Sequence, residues 1–173
     1  MKAKSILLAA VVGILTISAV QAQNFWSDHF VYEPGMGVYH ANEFSMDVFG
    51  FHASHDRNGS SNGSWGPGVG GNYFFTDCIG VGIDTYSDAF NKPYQLNANA
   101  IFRYPIETIG LAPYGVAGFG RQWSYAPQWQ GDVGVGVEYR FAAKTGVFTD
   151  LRGVFPGQTS NYVTWRFGFR VVF

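Results

Sequence analysis

The chain has 173 residues, a formal net charge of −1, 23 glycines, and a composition that is 18% aromatic but only 13% charged. With 11 Lys+Arg set against 12 Asp+Glu, it lacks the electrostatic footprint of a nucleic-acid binder or of a polybasic membrane-surface protein. Soluble domains carry about 25% charged residues, so a chain this aromatic and this weakly charged needs an apolar medium on its outside.

The N-terminus reads Met1-Lys2-Ala3-Lys4, then an apolar run from Ile6 to Val20, then small residues at Val20-Gln21-Ala22. This is the layout of a secretory signal peptide, residues 1–22, with cleavage expected after Ala22. The run is shorter than the ~20 residues of a spanning helix, and no second apolar run reaches that length, so a helical membrane protein is excluded. The residue immediately after the expected cleavage site is Gln23 and not a cysteine, so lipoprotein processing is not indicated. Residues 23–43 are open among three readings: an ordered arm, a short interfacial helix through Phe25, Trp26 and Phe30, or an early extension of the first strand through residues 35–39.

From residue 44 onward the chain reads as strands. The clearest is 131–141, where Val133, Val135, Val137, Tyr139 and Phe141 alternate with Asp132, Gly134, Gly136, Glu138 and Arg140. The last segment, 163–173, repeats the pattern with Val163, Trp165, Phe167, Phe169, Val171 and Phe173 on one face. Residues 94–104 carry Leu96, Ala98, Ala100, Phe102 and Tyr104 on one side and Gln95, Asn97, Asn99 and Arg103 on the other. That second face is too uncharged for a soluble surface and suits an enclosed one. Residues 44–53, 65–75, 78–88, 111–121 and 145–155 complete a set of eight strands, each about ten residues long, the length a tilted strand needs to cross a bilayer.

Connections after the second, fourth and sixth strands are read as short turns, and those after the odd strands as mostly longer polar loops. Residues 54–64, SHDRNGSSNGS, form the longest loop, and the Asn-Gly-Ser triplets at 58–60 and 62–64 are read as flexible turns. This alternation predicts an all-β, eight-stranded, antiparallel up-and-down transmembrane β-barrel over residues 44–173, with both termini periplasmic. Every lipid-exposed backbone group must be paired within the fold, which only closure achieves for a sheet. With the apolar faces outward, Asp47, Asp84, Arg103, Glu138, Arg140, Asp150, Arg152, Arg166 and Arg170 point inward as an ion network. Glycines on the inward phase, such as Gly68, Gly134 and Gly168, leave room for the long arginines. A soluble, lipocalin-like barrel would need charge on its outside, and too little is available.

Other motifs carry less. Gly66-x-Gly68-x-x-Gly71 matches a dinucleotide fingerprint in letters, but it lies within a strand and opens no helix. His40, His52, His55 and Asp56 are read as solvated loop and junction residues rather than a metal site or general base. Glu138 and Asp150 beside arginines read as structural ion pairs rather than an acid–base couple. Cys78 stands alone, so no intrachain disulfide forms, and it reads as a small hydrophobe. No catalytic residue, cofactor or metal is assigned.

The C-terminal Arg166-x-Gly168-x-x-Val171-x-Phe173 resembles the assembly signal of the eight-stranded outer-membrane barrels of the outer-membrane protein A and X type. The resemblance covers residues 44–173. It implies a Gram-negative outer-membrane location, with outer-membrane lipid, lipopolysaccharide and the assembly machinery as partners. A monomer is expected, with a role in envelope integrity, adhesion or resistance. No peptidoglycan-binding domain is expected after the barrel. The alternatives are a small channel and a lipid A-modifying enzyme. The deacylase type wants a His-x-Ser pair on a late strand, where this chain has Asp150-Leu151-Arg152-Gly153-Val154-Phe155; the palmitoyltransferase type is imitated only loosely, by residues 23–42 with His40 or His52.

Overall fold

A computed structural model of the chain describes residues 37–54, 63–88, 92–123 and 127–173. The strands are β1 (Glu43–Ala53), β2 (Ser64–Phe74), β3 (Ile79–Asp88), β4 (Lys92–Arg103), β5 (Leu111–Gln122), β6 (Gln128–Ala142), β7 (Thr145–Pro156) and β8 (Tyr162–Val172). Each pairs antiparallel with its sequence neighbour, and β1 also pairs with β8, so the sheet closes into a barrel. Closure pairs both ladder edges of every strand, as a lipid environment requires. The signal-peptide stretch, residues 23–36 and most of the 54–64 loop lie outside the described residues.

The period-two pattern of the sequence becomes the two surfaces of the wall. Along β8, Tyr162, Thr164, Arg166, Arg170 and Val172 are buried, while Val163, Trp165, Phe167 and Phe169 are exposed. The decisive contrast is between polar and apolar groups: Arg103 and Arg140 are 0% exposed, whereas Val135 is 68% and Phe169 62% exposed. In water this distribution would be inverted, so the fold is that of a transmembrane barrel.

The structure departs from the sequence reading at several boundaries. β6 begins at Gln128 and β4 at Lys92, each earlier than the alternation alone indicated. A partnered ladder carries strand structure beyond the residues that mark it by pattern: Gln128 pairs with Gln122, and Pro93 pairs with Ser87 beside a register shift at Tyr86/Ser87. The expected sorting of short turns from long loops is therefore corrected. The β3–β4 connection shrinks to residues 89–91, while the β4–β5 connection spans 104–110 and contains a 3-10 turn, Glu107–Ile109, closed by Gly110 at φ 65.

A second correction concerns the inner face, which is not uniformly polar. Phe49, Phe51, Tyr86, Phe148, Val154 and Tyr162 pack together inside the barrel. Phe49 stands in register with Gly68 on β2 and Gly168 on β8; a Cβ on Gly68 would lie 2.2 Å from the Phe49 ring, and one on Gly168 2.5 Å from its Cβ. Part of the space that inward glycines vacate thus goes to aromatic rings rather than to arginines.

Candidate functional site in the barrel lumen

The lumen has two ends. One carries residue 43, the C-terminus and the β2–β3, β4–β5 and β6–β7 connections; the other carries the loops after β1, β3, β5 and β7. Because alternate residues face inward on every strand, each strand delivers its polar set at fixed heights, and the arginines reach across the axis to other strands.

Toward the termini end, three arginines meet three carboxylates. Arg103 Nη1 donates to Glu43 Oε1 at 2.9 Å, Arg140 Nη1 to Glu43 Oε2 at 2.7 Å, and Arg140 Nε to Glu138 Oε1 at 2.7 Å. Arg170 Nη1 donates to Glu138 Oε2. Arg170 also grips Asp47 with two parallel bonds, Nε to Oδ1 at 2.7 Å and Nη2 to Oδ2 at 2.8 Å. Asp47 and Arg170 stand directly opposite each other across the β1–β8 seam. This is the two-pronged geometry that makes arginine the best partner for a carboxylate.

Residues just before β1 cover this cluster. Tyr39, 2% exposed, lies over the Arg140 and Arg103 guanidinium groups, with ring centroids 4.3 Å and 4.8 Å from their carbons. Its hydroxyl donates to Gly110 O at 2.9 Å. Burial, followed by the charge of Glu138, pushes that hydroxyl well above the usual phenol range, so it remains a donor. Arg140 Nη1 also donates to Val38 O, and Val38 N donates to Glu107 Oε2 at 2.8 Å, tying the segment to the β4–β5 turn. Residues 37–40 are neither helix nor strand, so they do not extend β1.

Further toward the loops, Arg152 and Arg166 serve Asp84, Asp132 and Asp150. Arg166 donates to Asp150 through Nε at 2.9 Å and Nη2 at 2.6 Å, and to Asp84 through Nη1 at 2.9 Å. Arg152 Nη1 is shared among Asp84 Oδ2 at 3.3 Å, Asp132 Oδ1 at 3.2 Å and Asn99 Oδ1 at 3.0 Å. Asn97 Nδ2 and Asn99 Nδ2 donate to the two oxygens of Asp84, at 3.0 Å and 2.7 Å, and Tyr114 donates to Asp150 at 2.7 Å.

The structure thus places all nine residues of the expected inward set on the lumen side, split into these two clusters. Sequence reasoning passed over Glu43, Asp132 and Tyr39. Asp132 was legible, being in phase with Glu138 and Arg140 on one strand. Glu43 is in phase with Ser45 and Asp47, one residue before the expected strand start. Tyr39 carried no periodic signal, because it belongs to no strand.

The remaining candidates are dispersed. His52 faces outward and packs on Trp65, ring centroids 4.5 Å apart, while the backbone oxygen of His40 accepts from Arg103 Nη2 at 3.4 Å. His55 and Asp56 lie outside the described residues. Among the described residues no group of three or more His, Cys, Asp or Glu is arranged to hold a metal. Gly66, Gly68 and Gly71 lie within β2. At the C-terminus, Phe173 N donates to Phe44 O at 2.9 Å and the two rings lie 6.0 Å apart.

The same eight-stranded fold is found in solved outer-membrane barrels. The N-terminal β-barrel domain of Pseudomonas aeruginosa OprF matches at a TM-score of 0.61 and 19% identity, over 78% of this chain and 99% of that one. The outer membrane protein OprG of the same organism matches at 0.52 and 12% identity, over 78% and 97%. Neisserial surface protein A matches at 0.51 and 18%, over 75% and 95%. No family model and no curated protein matches the sequence. At these identities the likeness is one of fold.

Proposed function

We propose that the chain is a non-enzymatic outer-membrane barrel of the structural or surface-interaction kind, exported through a signal peptide cleaved after Ala22. Its termini face the periplasm, and the loops after β1, β3, β5 and β7 face outward. Outer-membrane lipid and lipopolysaccharide surround it, the assembly machinery inserts it, and it works as a monomer in envelope integrity, adhesion or resistance. The observation that carries this reading is the filled lumen: two buried ion clusters span the interior and Tyr39 caps one of them. Eight strands enclose a space that side chains nearly fill, whereas aqueous channels belong to barrels of about sixteen strands. The solved barrels it matches include a surface protein and Ail, named as an attachment invasion locus protein of Yersinia pestis, and none of these names is that of an enzyme.

Two measurements test the reading. Refolded protein in a planar bilayer should give no stable stepwise conductance; sustained steps from the unmodified chain would make it a small channel. Cells with and without the protein should share one lipid A mass profile. An acyl change that disappears when His40 or His52 is replaced would make it an enzyme.

A further inference from the structure

Counted over the described residues, the loop-side cluster is one positive charge short. Arg152 and Arg166 face Asp84, Asp132 and Asp150, and no other cation among the described residues reaches them. The termini-side cluster, by contrast, balances three arginines with three carboxylates. Asp132 bears the deficit. Among the described residues its one ion pair is the 3.2 Å contact of Oδ1 with an Arg152 nitrogen that two other acceptors share, and its buried Oδ2 has no hydrogen-bond partner there.

Two neighbouring rows of the wall show what is missing. In one, Asn97 on β4, Gly120 on β5 and Gln130 on β6 are in register, and Gln130 Nε2 donates to Asn97 Oδ1 at 3.1 Å across the bare glycine. In the next, Asn99, Gly118 and Asp132 are in register the same way. Here Asn99 Oδ1 and Asp132 Oδ2 converge over the glycine, 2.4 Å and 2.5 Å from the point a Gly118 Cβ would occupy. The first row closes with an N–H between two side chains; the second brings two acceptors together. Flipping the amides does not help, because Asp84 fixes them. Both Asn97 and Asn99 give their N–H to Asp84, so each Oδ1 is an acceptor, and the group on Gln130 that meets Asn97 must be its N–H. That leaves Gln130 Oε1, in a side chain 1% exposed and one inward position from Asp132 on β6, without a partner among the described residues.

We propose that one monovalent metal cation binds over Gly118, with Asp132 Oδ2 as the charged ligand and Asn99 Oδ1 of the same row and Gln130 Oε1 of the neighbouring row as neutral oxygen ligands. An uncompensated carboxylate in a dry interior is costly, and one unit of positive charge cancels the deficit where a divalent ion would reverse it. A proton would link only two of the oxygens, whereas a hard cation gathers several. Gly118 is then the residue whose missing side chain leaves the ion its place. The proposal is independent of whether the barrel conducts.

The test uses the refolded full barrel in lipid vesicles, unfolded by urea at constant ionic strength while NaCl or KCl replaces choline chloride. For an ion bound only by the folded state, the unfolding constant falls up to tenfold for each tenfold rise in free cation above its dissociation constant. Asp132→Asn, which keeps the shape and removes the charge, should abolish that dependence, and Gln130→Leu should weaken it. Crystals soaked in thallium(I) should show an anomalous peak beside Asp132 Oδ2, absent from Asp132→Asn. Equal unfolding constants in the three salts, with no thallium peak, overturn the proposal and leave a proton on Asp132 as the neutralising species. If Asp132→Asn fails to refold, the unmodified protein's salt dependence and thallium peak decide the matter.

Discussion

Arg170→Met is the most informative single change, because Arg170 joins β8 to β1, the seam that makes a barrel of a sheet. In the variant, Asp47 loses both parallel bonds, at 2.7 Å and 2.8 Å, and keeps Asn72 Nδ2 at 2.9 Å; Glu138 loses one of its two arginines and keeps Arg140. Asp47 is 6% and Glu138 1% exposed, so water cannot replace the lost donors. Removing one partner of a buried pair costs about 3–5 kcal/mol, which is roughly two to three and a half orders of magnitude in the folding equilibrium. Reversible urea unfolding of refolded protein in vesicles, followed by tryptophan fluorescence, reads this directly and does not depend on cellular assembly. The cost arises from the stranded carboxylate rather than from any large net worth of the pair, so Asp47→Leu combined with Arg170→Met should recover most of the loss. A loss under about 1 kcal/mol for the single variant, or a double variant no more stable than the single one, would refute the idea that the lumen is held by mutual neutralisation.

Two further outcomes are expected. Deleting Phe173 should lower the amount of heat-modifiable, membrane-inserted protein in expressing cells while leaving refolding in vesicles nearly intact; equal insertion in cells would remove the assembly role from the Arg166, Gly168, Val171, Phe173 pattern. An epitope placed after Gly59 should be labelled on intact cells, and labelling only after permeabilisation would turn the proposed topology around.

The strand count and the inner and outer faces were legible in the sequence because a barrel wall is a local object. A residue's side depends only on the parity of its position, so Val133 to Phe141 and Val163 to Phe173 declare their faces without knowledge of any partner. The nine inward charges followed from that parity. Strand ends were less legible, since Gln128 and Lys92 join strands only because a neighbour offers a ladder. Partners across the lumen were decided by the tertiary structure alone. Barrel stagger, which no single strand encodes, puts Arg152 of β7 near Asp84 of β3 and Arg140 of β6 on Glu43 of β1. The same holds for Tyr39, whose place over two guanidiniums depends on the chain's path before β1, and for the glycine row in which Asn99 meets Asp132. Parity assigns a side chain to the lumen, and only closure with a definite register determines which charges share a height and which carboxylate, among the described residues, is left with an unpaired oxygen.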